Sequence, residues 1–490
     1  MEAISKQNHD VPPFHATTPH QSTTLLSTHL ISKLLGFLRA CAFLLVASAE
    51  VFLLLQKWEL MFHFLLLCFP LLCYLLKHFL SKASPIYLVD FSCLKPPSHC
   101  RVPFATFLEH ASQFEIFDTE SLAFMSKVLH SSGQSEETCL PPALHHIPPK
   151  THQAESIKEV HMVLFPIMDD LLAKTKTSPH EIDILIINCS GFCPSPSLTS
   201  IVINKYSMRS DTKSYNISGM GCSASALCID LAQNLLRVHK NSNVVILSTE
   251  ILSTGWYSGK EPSKLLINCL FRMGSAALLL SNKKQARNSA KYRVLRTLRT
   301  QRAFDEKAYF SAMREEDSEG KLGVTLKRDL LQVAGETLRS NISILGSEIL
   351  PLSEKFWYGV SVIKKKFIKS EGIYVPNFKT VIQHFCLPCS GRAVIREVGK
   401  GLKLAERDIE PAMMTLYRFG NQSSSSLWYE LAYLEAKERV QKGDKVWQLG
   451  MGSGPKCISV VLKCVRPLVG ESKKGPWADC IHQYPIVALD

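Results

Sequence analysis

Residues 182–249 decide the fold, and they read IDILIINCSGFCPSPSLTSIVINKYSMRSDTKSYNISGMGCSASALCIDLAQNLLRVHKNSNVVILST. The stretch opens with IDILIIN (182–188) and closes with NVVILST (243–249), two short apolar runs rich in β-branched residues. Such runs are typical of strands that are buried on both faces of a sheet. Two helical patterns lie between them, so the stretch predicts alternating strands and helices in an α/β domain.

Cys222 follows a turn that Gly219 and Gly221 permit, since glycine accepts backbone angles that other residues resist. The residues after it place apolar side chains at helical spacing, at Ala224, Leu227, Cys228, Leu231 and Leu235. A cysteine at the start of a buried helix meets unpaired N–H groups and the positive end of the helix dipole, which favour the nucleophilic thiolate. The sequence therefore predicts a nucleophile at Cys222, with backbone N–H groups of the turn as an oxyanion hole. An inert buried thiol, one of 16 cysteines, is the plainer alternative.

The C-terminal portion repeats this alternation of strands and helices. FKTVIQHF (378–385) leads into a turn, an amphipathic helix is predicted through LWYELAYLEAKERVQKG (427–443), and DKVWQLGMGSG (444–454) follows. Two strand-rich halves joined near 330–375 predict an internally duplicated domain. The chain is therefore divided into a polar N-terminal segment, a membrane anchor and two halves, at residues 1–33, 34–82, 86–330 and 331–490.

Two apolar runs, Leu34–Leu55 and Leu60–Leu80, predict an N-terminal transmembrane helical hairpin. Each is close to the roughly 20 residues that a helix needs to cross the hydrocarbon core. Only QKWE separates the runs, so both ends of the hairpin would stay on one side of the membrane. Flanking lysines favour the cytosolic side for the rest of the chain. A hairpin embedded in one leaflet is the alternative.

Charge and cysteine content narrow the class of protein. The 490 residues include 56 Lys and Arg against 43 Asp and Glu, a formal net charge of +13. Beside a membrane anchor, this basic character favours anionic lipid and a phosphate-bearing substrate, and no zinc-finger spacing or RNA-binding signature supports nucleic acid. The cysteines follow no small-domain disulfide framework, which predicts free thiols in a reducing compartment.

Five motifs resemble the plant 3-ketoacyl-CoA synthases, in the right order along the chain. They are YLVDFSCLKPPSHC (87–100), SYNISGMGCSA (214–224), NCLFRMGSAALLLSN (268–282), RFGNQSSSSLWYELAYLEAKERV (418–440) and GSGPKC (452–457). The resemblance implies a thiolase-like, duplicated α/β/α/β/α fold. It also implies an endoplasmic reticulum membrane protein that faces the cytosol, forms homodimers or heterodimers, and contacts other elongase subunits.

Members of that family condense a long-chain or very-long-chain acyl-CoA with malonyl-CoA and release carbon dioxide. The resemblance implies no metal and no cofactor beyond these CoA thioesters. By motif, it assigns the acyl-accepting cysteine to Cys222 and the enolate-stabilising asparagine to Asn421. The serines from Ser423 to Ser426 are expected to cap the helix that follows. The active-site loop and its oxyanion donors are expected at Gly221, Gly452, Ser453 and Gly454.

The catalytic histidine of the family is missing from this sequence. The family motif is close to HFCIHAGGRAV, whereas residues 384–394 read HFCLPCSGRAV, so Pro388 stands at the second histidine. Proline offers neither an imidazole nor a backbone donor. His384 is the histidine that a rearranged loop would have to bring to the site. Gln301 and Tyr417 also replace family histidines, and Pro455 replaces an aromatic residue.

Three other motifs each allow two interpretations. Cys386 and Cys389 form a CxxC that would suit a redox pair or a zinc site, against two buried thiols in a loop. GMGSG (450–454) is expected to be a tight turn rather than a dinucleotide loop, because the strand-like CISVVLKCV (457–465) follows it instead of a helix. The basic run KYRVLRTLRTQR (291–302) faces either CoA phosphates and lipid headgroups or water.

Two functions from different classes therefore compete. The first is a condensing acyltransferase of fatty acid elongation, which supplies waxes, storage lipids or sphingolipids. The second is a catalytically impaired homologue that binds active elongase subunits and modulates them, because losing one oxyanion donor costs about 2.7–4 kcal/mol. An acyl transfer without decarboxylation is a further alternative.

Overall fold

The structure is a computed structural model that describes residues 41–49, 51–53, 68–74, 85–327, 329–368 and 374–486. The chain separates into two compact units, residues 1–83 and 84–490. Every described residue of the first unit is helical. None of the helices in these described ranges combines the length and the apolar character that crossing a bilayer requires. Much of the predicted hairpin lies outside the described residues, so the hairpin stays a prediction.

The second unit is built on one mixed sheet. Nine strands of the described residues form it, in the order β3-β2-β4-β5-β1-β6-β11-β10-β9, and β7 and β8 pair separately. The strands are β1 (Ile86–Cys93), β2 (Ile184–Asn188), β3 (Lys213–Ile217), β4 (Asn243–Thr249), β5 (Ser275–Ser281), β6 (Tyr292–Gln301), β7 (Ala312–Glu316), β8 (Leu322–Leu326), β9 (His384–Cys386), β10 (Lys445–Gly452) and β11 (Lys456–Cys464).

Helices pack on the faces of this sheet, and one of them is packed between its two ends. They are α1 (Phe104–Ser112), α2 (Thr119–Ser131), α3 (Gln153–Thr175), α4 (Leu198–Lys205), α5 (Ala224–Val238), α6 (Pro262–Leu270), α7 (Ala286–Ser289), α8 (Glu306–Tyr309), α9 (Leu330–Ile349), α10 (Leu352–Ile368), α11 (Arg392–Gly401), α12 (Glu406–Phe419) and α13 (Ser426–Ala436).

Strands β2 and β4 are buried on both faces, as their continuous apolar runs predict. On β4, Val244 and Ile246 belong to the apolar cluster that includes α5, whereas Val245 and Leu247 belong to the cluster that includes α3. Successive side chains point to opposite faces of a strand, so α3 and α5 cover the two faces of the sheet. The predictions of strands at 182–188 and 243–249 are confirmed by β2 and β4.

The sheet has two parts, a first part with strands β3-β2-β4-β5-β1 and a second part with strands β6-β11-β10-β9. They meet at a short antiparallel pairing of β1 with β6. Helix α5 packs against β2 and β4 of one part and against β10 and β11 of the other, and α9 covers β6 and β11. The layers are therefore α3, the first sheet part, α5, the second sheet part and α9. Strand β6 pairs with β11 along its whole length, although β6 lies in the predicted half 86–330 and β11 in the predicted half 331–490. The two parts of the sheet therefore do not coincide with those two stretches of sequence.

Candidate active site

Cys222 lies in a single 3₁₀ turn, Gly221–Ser223, that runs directly into α5. The predicted helix start is therefore confirmed. The cysteine side chain is partly buried. Its sulfur Sγ lies 3.5 Å from the hydroxyl Oγ of Ser423, a residue from the C-terminal part of the chain. The fold thus brings the candidate nucleophile to the segment that also contains Asn421.

The thiol of Cys222 is protonated at neutral pH. Burial raises its pKa to about 11, the hydrogen bond with Ser423 partly offsets this rise, and the nearby carboxylate of Glu250 adds to it. This rise in pKa acts against the thiolate that the helix start is expected to favour. The physical reason is that desolvation and a negative neighbour outweigh the helix terminus when no cation faces the sulfur.

Asn421 is buried, with 3% of its surface exposed, and its backbone pairs with the segment around Phe271. The backbone N–H of Arg272 donates to the carbonyl oxygen of Asn421 at 2.9 Å. The side-chain oxygen Oδ1 accepts a hydrogen bond from the N–H of Ser423 at 2.8 Å. This bond fixes the amide so that its nitrogen Nδ2 is left as the donor, and it links Asn421 through Ser423 to Cys222.

The serine run joins the two parts of the molecule. Ser424 donates to Oδ1 of Asn188 at 2.8 Å, and Ser425 donates to the carbonyl oxygen of Ser248 at 2.8 Å. The prediction that these serines cap the following helix is wrong, because the N-cap residue of α13, Ser425, makes no side-chain capping bond. The hydroxyls of Ser424 and Ser425 instead donate to acceptors at the ends of β2 and β4.

The glycine turn after β10 packs directly on the Cys222 turn. A Cβ at Gly452 would lie 2.2 Å from the carbonyl oxygen of Met220 and 2.9 Å from the backbone nitrogen of Ser223. A Cβ at Gly221 would lie 2.8 Å from the backbone nitrogen of Ser453. Only glycine permits these approaches. Gly221, Gly452 and Ser453 are thus in contact, and Gly454 completes the turn with a positive φ of 59°.

Comparison with known proteins places these residues in a family. The FAE1/Type III polyketide synthase-like protein profile matches residues 78–367, and the 3-Oxoacyl-[acyl-carrier-protein (ACP)] synthase III C terminal profile matches residues 379–464. The chain is 50% identical to 3-ketoacyl-CoA synthase 6 of Arabidopsis thaliana, over 84% of this chain and 82% of that protein. It belongs to the plant 3-ketoacyl-CoA synthase family.

Further comparisons extend the family match and support the fold. 3-ketoacyl-CoA synthase 2 of Arabidopsis thaliana is 40% identical over 99% of this chain and 94% of its own length. A fungal type III polyketide synthase, ORAS, superimposes with a TM-score of 0.62 at 14% identity, over 77% of this chain and 99% of that one. PKS-I from the brown alga Ectocarpus siliculosus gives a TM-score of 0.60 at 14% identity, over 79% of this chain and 100% of that one. The thiolase-like α/β fold is thereby confirmed.

His384 does not reach the cysteine of this 3-ketoacyl-CoA synthase homologue. Its ring nitrogen Nε2 lies 2.9 Å from Oδ2 of Asp444. On the sheet, His384 pairs with Val446 near the start of β10, whereas Gly452 at the other end of β10 contacts the Cys222 turn. Six residues of extended strand span about 20 Å. The prediction that His384 supplies the missing imidazole does not agree with this placement.

Pro388, in contrast, lies in a buried segment that borders the site. Its neighbour Leu387 donates its N–H to Oε2 of Glu430 at 2.7 Å. Its other neighbour, Cys389, has a pKa raised by burial, by Glu430 and by Cys222, which places Cys389 near the candidate nucleophile. Within the described parts of the chain, no histidine forms a hydrogen bond with Cys222, Ser423 or Asn421.

The other substituted positions lie at two places. Gln301 is exposed at the end of β6, where it pairs with Lys456 directly after the glycine turn. Tyr417 is partly buried on α12 and packs edge-to-face on Tyr484, with ring centroids 6.4 Å apart. Neither position therefore supplies an imidazole to this synthase-like site.

The CxxC pair, the GMGSG turn and Lys291 of the basic run have structural surroundings in the described residues. Cys386 and Cys389 are buried free thiols, and among the described residues no cluster suits a metal ion. The segment after GMGSG is strand β11, as predicted. In the basic run, Lys291 is buried and paired with Asp90, Glu435 and Glu471. Lys291 is therefore not available to bind the phosphate groups of CoA or of a lipid.

Glu250 is a site residue that the sequence analysis missed. It follows β4 directly, and both of its carboxylate oxygens accept the N–H of Ser190, at 3.0 and 3.1 Å. Oε1 also lies 3.4 Å from the hydroxyl of Ser423. Ser190 in turn accepts the N–H of Gly221 at 2.9 Å, so that N–H is not free to bind an oxyanion. The STE triplet at a strand end (residues 248–250) carries no spacing signal that would have identified this carboxylate.

Proposed function

We propose that this chain is a condensing acyltransferase of fatty acid elongation, which joins a long-chain or very-long-chain acyl-CoA to malonyl-CoA with loss of carbon dioxide. The supporting observation is the meeting of Cys222 and Asn421 at one place, joined by Ser423. Relatives that share up to half of its residues are named 3-ketoacyl-CoA synthases.

In the proposed reaction, the sulfur of Cys222 attacks the acyl-CoA thioester and retains the acyl group while CoA leaves. Malonyl-CoA then loses carbon dioxide, and Nδ2 of Asn421 donates to the enolate oxygen that forms. The enolate carbon attacks the acyl-cysteine, and the N–H of Cys222 with N–H groups of the 452–454 turn binds the oxyanion. The oxyanion then collapses, the carbon–sulfur bond to Cys222 breaks, the 3-ketoacyl-CoA leaves, and the Cys222 sulfur takes up a proton. CoA thioesters are the substrates, and the proposal includes no metal and no further cofactor.

A second candidate follows from Pro388. With no imidazole beside Asn421, the enolate has one donor fewer, which costs about 2.7–4 kcal/mol or about 10²–10³ in rate. Acyl transfer to Cys222 does not use that donor. A chain that takes an acyl group and condenses it slowly would instead act as an impaired homologue that binds active elongase subunits, as a heterodimer, and modulates them.

We also propose that residues 34–82 anchor the chain in the endoplasmic reticulum membrane, with residues 86–490 facing the cytosol. Leu34–Leu55 and Leu60–Leu80 are apolar enough to enter the hydrocarbon core. Among the described side chains of this segment, Phe43, Leu45 and Tyr74 are mainly exposed in the isolated chain. Exposed apolar surface of this size is typical of a lipid-contacting or protein-contacting segment.

One assay separates the two candidates. Microsomes that contain this chain as their sole condensing enzyme receive a long-chain acyl-CoA and labelled malonyl-CoA, and labelled elongated products are measured. Elongation that Cys222→Ala abolishes supports the enzyme. Absence of elongation in the native chain, with recovery in Pro388→His, supports the impaired homologue. Elongation that persists in Cys222→Ala contradicts the proposed site.

A further inference from the structure

The hydroxyl of Ser423 lies between a thiol and a carboxylate. Its Oγ is 3.5 Å from Sγ of Cys222 and 3.4 Å from Oε1 of Glu250. A hydroxyl has one proton to donate and lone pairs to accept with, and an ionised carboxylate only accepts. The Ser423 hydroxyl is placed to donate to Sγ of Cys222 and to Oε1 of Glu250, and because it has one proton it serves one of them at a time. When it donates to Glu250, its lone pairs face the Cys222 thiol. Distances of this length are common in substrate-free sites and shorten in the reacting complex.

The backbone of Ser423 is held in a conformation that serine rarely adopts. Its φ is +55°, in the left-handed region. Such angles cost on the order of 1 kcal/mol or more and persist where the surroundings impose them, often at functional sites. Here the N–H of Ser423 donates to Oδ1 of Asn421 at 2.8 Å. This bond holds the backbone where the Ser423 side chain lies against Cys222 and Glu250.

Glu250 is held on the opposite side by donors. The N–H groups of Ser190 and Gly191 donate to its oxygens at 3.0–3.2 Å, and the thiol of Cys189 lies 3.7 Å from Oε2. These donors leave Oε1 directed at Ser423. Backbone N–H groups favour the ionised carboxylate, while burial raises the pKa of Glu250 above its usual range. The result is a carboxyl group that is more basic than an exposed one.

The titratable groups around the pair are few among the described residues. Cys222 is faced by Glu250 and by Cys389, and Glu250 is faced by Cys189, by Cys222 and, beyond the following loop, by Glu159. The nearest cation that the described contacts give is Arg314, which donates to the carbonyl oxygen of Gly191 at 2.7 Å and forms no ion pair with Glu250. A thiolate would therefore form beside a negative charge unless its proton moved to that charge.

We propose that Ser423 and Glu250 form a proton relay that activates Cys222 in place of an imidazole. The inference rests on the proposed acyl transfer to Cys222. In the step, the S–H bond of Cys222 breaks, its proton passes to Oγ of Ser423, and the hydroxyl proton of Ser423 passes to Oε1 of Glu250. The freed electron pair of Sγ bonds the acyl carbon, the carbon–sulfur bond to CoA breaks, and the leaving CoA sulfur recovers a proton from Glu250 through Ser423. Acyl-Cys222, CoA thiol and an ionised Glu250 result, so the step needs no other reactant.

A relay has a pH signature that simple repulsion by Glu250 lacks. With the relay, the reactive form is the neutral thiol beside ionised Glu250, so the rate does not depend on the amount of free thiolate. The rate of Cys222 modification is then nearly constant between about pH 7 and about pH 9. Without the relay, only the free thiolate reacts, and the rate rises about tenfold per pH unit below a thiol pKa of about 11.

The test uses the full-length chain in membranes and two reagents. Iodoacetamide alkylation and long-chain acyl-CoA acylation of the Cys222 peptide are followed by mass spectrometry across this pH range. Ser423→Gly removes the hydroxyl while tolerating the positive φ, and Glu250→Gln removes the base. Ser424→Ala is the matched control, because it removes a neighbouring buried hydroxyl that bonds Asn188 and Ser248 instead of the thiol.

The relay predicts a flat alkylation profile for the native chain and Ser424→Ala. Ser423→Gly and Glu250→Gln should show rising profiles and at least about tenfold slower reaction near pH 7. A flat profile in Ser423→Gly would overturn the relay. So would a Glu250→Gln chain that reacts faster than the native chain at every pH, which is the outcome of repulsion alone. A flat native alkylation profile with no acylation by acyl-CoA would keep the relay and refute the proposed acyl transfer.

Discussion

Nε2 of His384 lies 2.9 Å from Oδ2 of Asp444, at the end of β10 that is remote from Cys222. The same carboxylate accepts the N–H of Gln441 at 2.9 Å, so the histidine belongs to a cluster that closes the turn before β10. This placement assigns His384 to the packing of the sheet edge, and among the residues that the structure describes no histidine forms a hydrogen bond with Cys222, Ser423 or Asn421.

His384→Ala should therefore lower stability without changing the chemistry of Cys222. Losing a partly buried hydrogen bond costs about 1 kcal/mol, which a lower thermal unfolding temperature of the detergent-solubilised chain would report. The rate of Cys222 acylation by acyl-CoA should stay within about twofold of the native rate, since the structure provides no contact between the two residues. Loss of acylation in a folded His384→Ala chain would show that the histidine does act at the site.

Gly452→Ala should disrupt the candidate site. The added Cβ would lie 2.2 Å from the carbonyl oxygen of Met220, so β10 and the Cys222 turn must separate. Overpacking of this kind costs typically about 1–3 kcal/mol, and here the displaced atoms are backbone. We expect at least a tenfold loss of Cys222 acylation, measured by peptide mass spectrometry. Gly401→Ala, where a Cβ meets nothing within 4 Å, is the matched control and should acylate at the native rate.

Lys291→Met should strongly destabilise the second unit. The Lys291 ammonium lies 2.8 Å from Glu435 and 2.9 Å from both Asp90 and Glu471, in a buried cluster. Lys474 also lies 3.5 Å from Glu471, and Tyr292 donates to Glu435. Removing Lys291 takes away the ammonium that Asp90 and Glu435 share, which costs about 3–5 kcal/mol. Denaturant unfolding should show this loss, whereas Lys95→Met, which breaks an exposed pair with Asp479, should cost less than about 1 kcal/mol. Equal losses in the two variants would contradict the account.

Glu159 should make stability depend on pH. Burial raises its pKa to about 7 in the folded chain, from the ordinary value of 4.5. Between these two pKa values the folded chain binds a proton that the unfolded chain releases, so the free energy of unfolding falls as pH rises, by about 3 kcal/mol in total. Glu159→Gln should flatten this dependence in unfolding experiments between about pH 5 and about pH 7. Parallel slopes for both chains would exclude Glu159 as the source.

The sequence predicted the parts of the site that carry local signals. Cys222 was identified because glycines precede it and a helical stripe follows, and Asn421 because its motif resembles a family. The sequence did not predict the roles of Ser423 and Glu250, because these roles depend on side-chain partners far away in the chain. A serine run before a helix is typical of a cap, yet tertiary acceptors at Asn188 and Ser248 took those hydroxyls.

The protonation state of Cys222 could not be read from its place at a helix start. The helix terminus acts on any cysteine there, but desolvation and the carboxylate of Glu250 depend on how β4 and the serine run meet. Similarly, the register of β9 on β10 keeps His384 at the sheet edge, and no motif encodes that register.

The central claim is that Cys222 accepts the acyl group, and mass spectrometry of its peptide tests this most directly. The full-length chain in microsomes is incubated with a long-chain acyl-CoA, digested and examined with and without hydroxylamine, which cleaves thioesters. We predict one acyl adduct on Cys222 that hydroxylamine removes and that Cys222→Ala lacks. An unmodified Cys222 peptide from folded chain, under conditions where a related active synthase is acylated, would contradict the account.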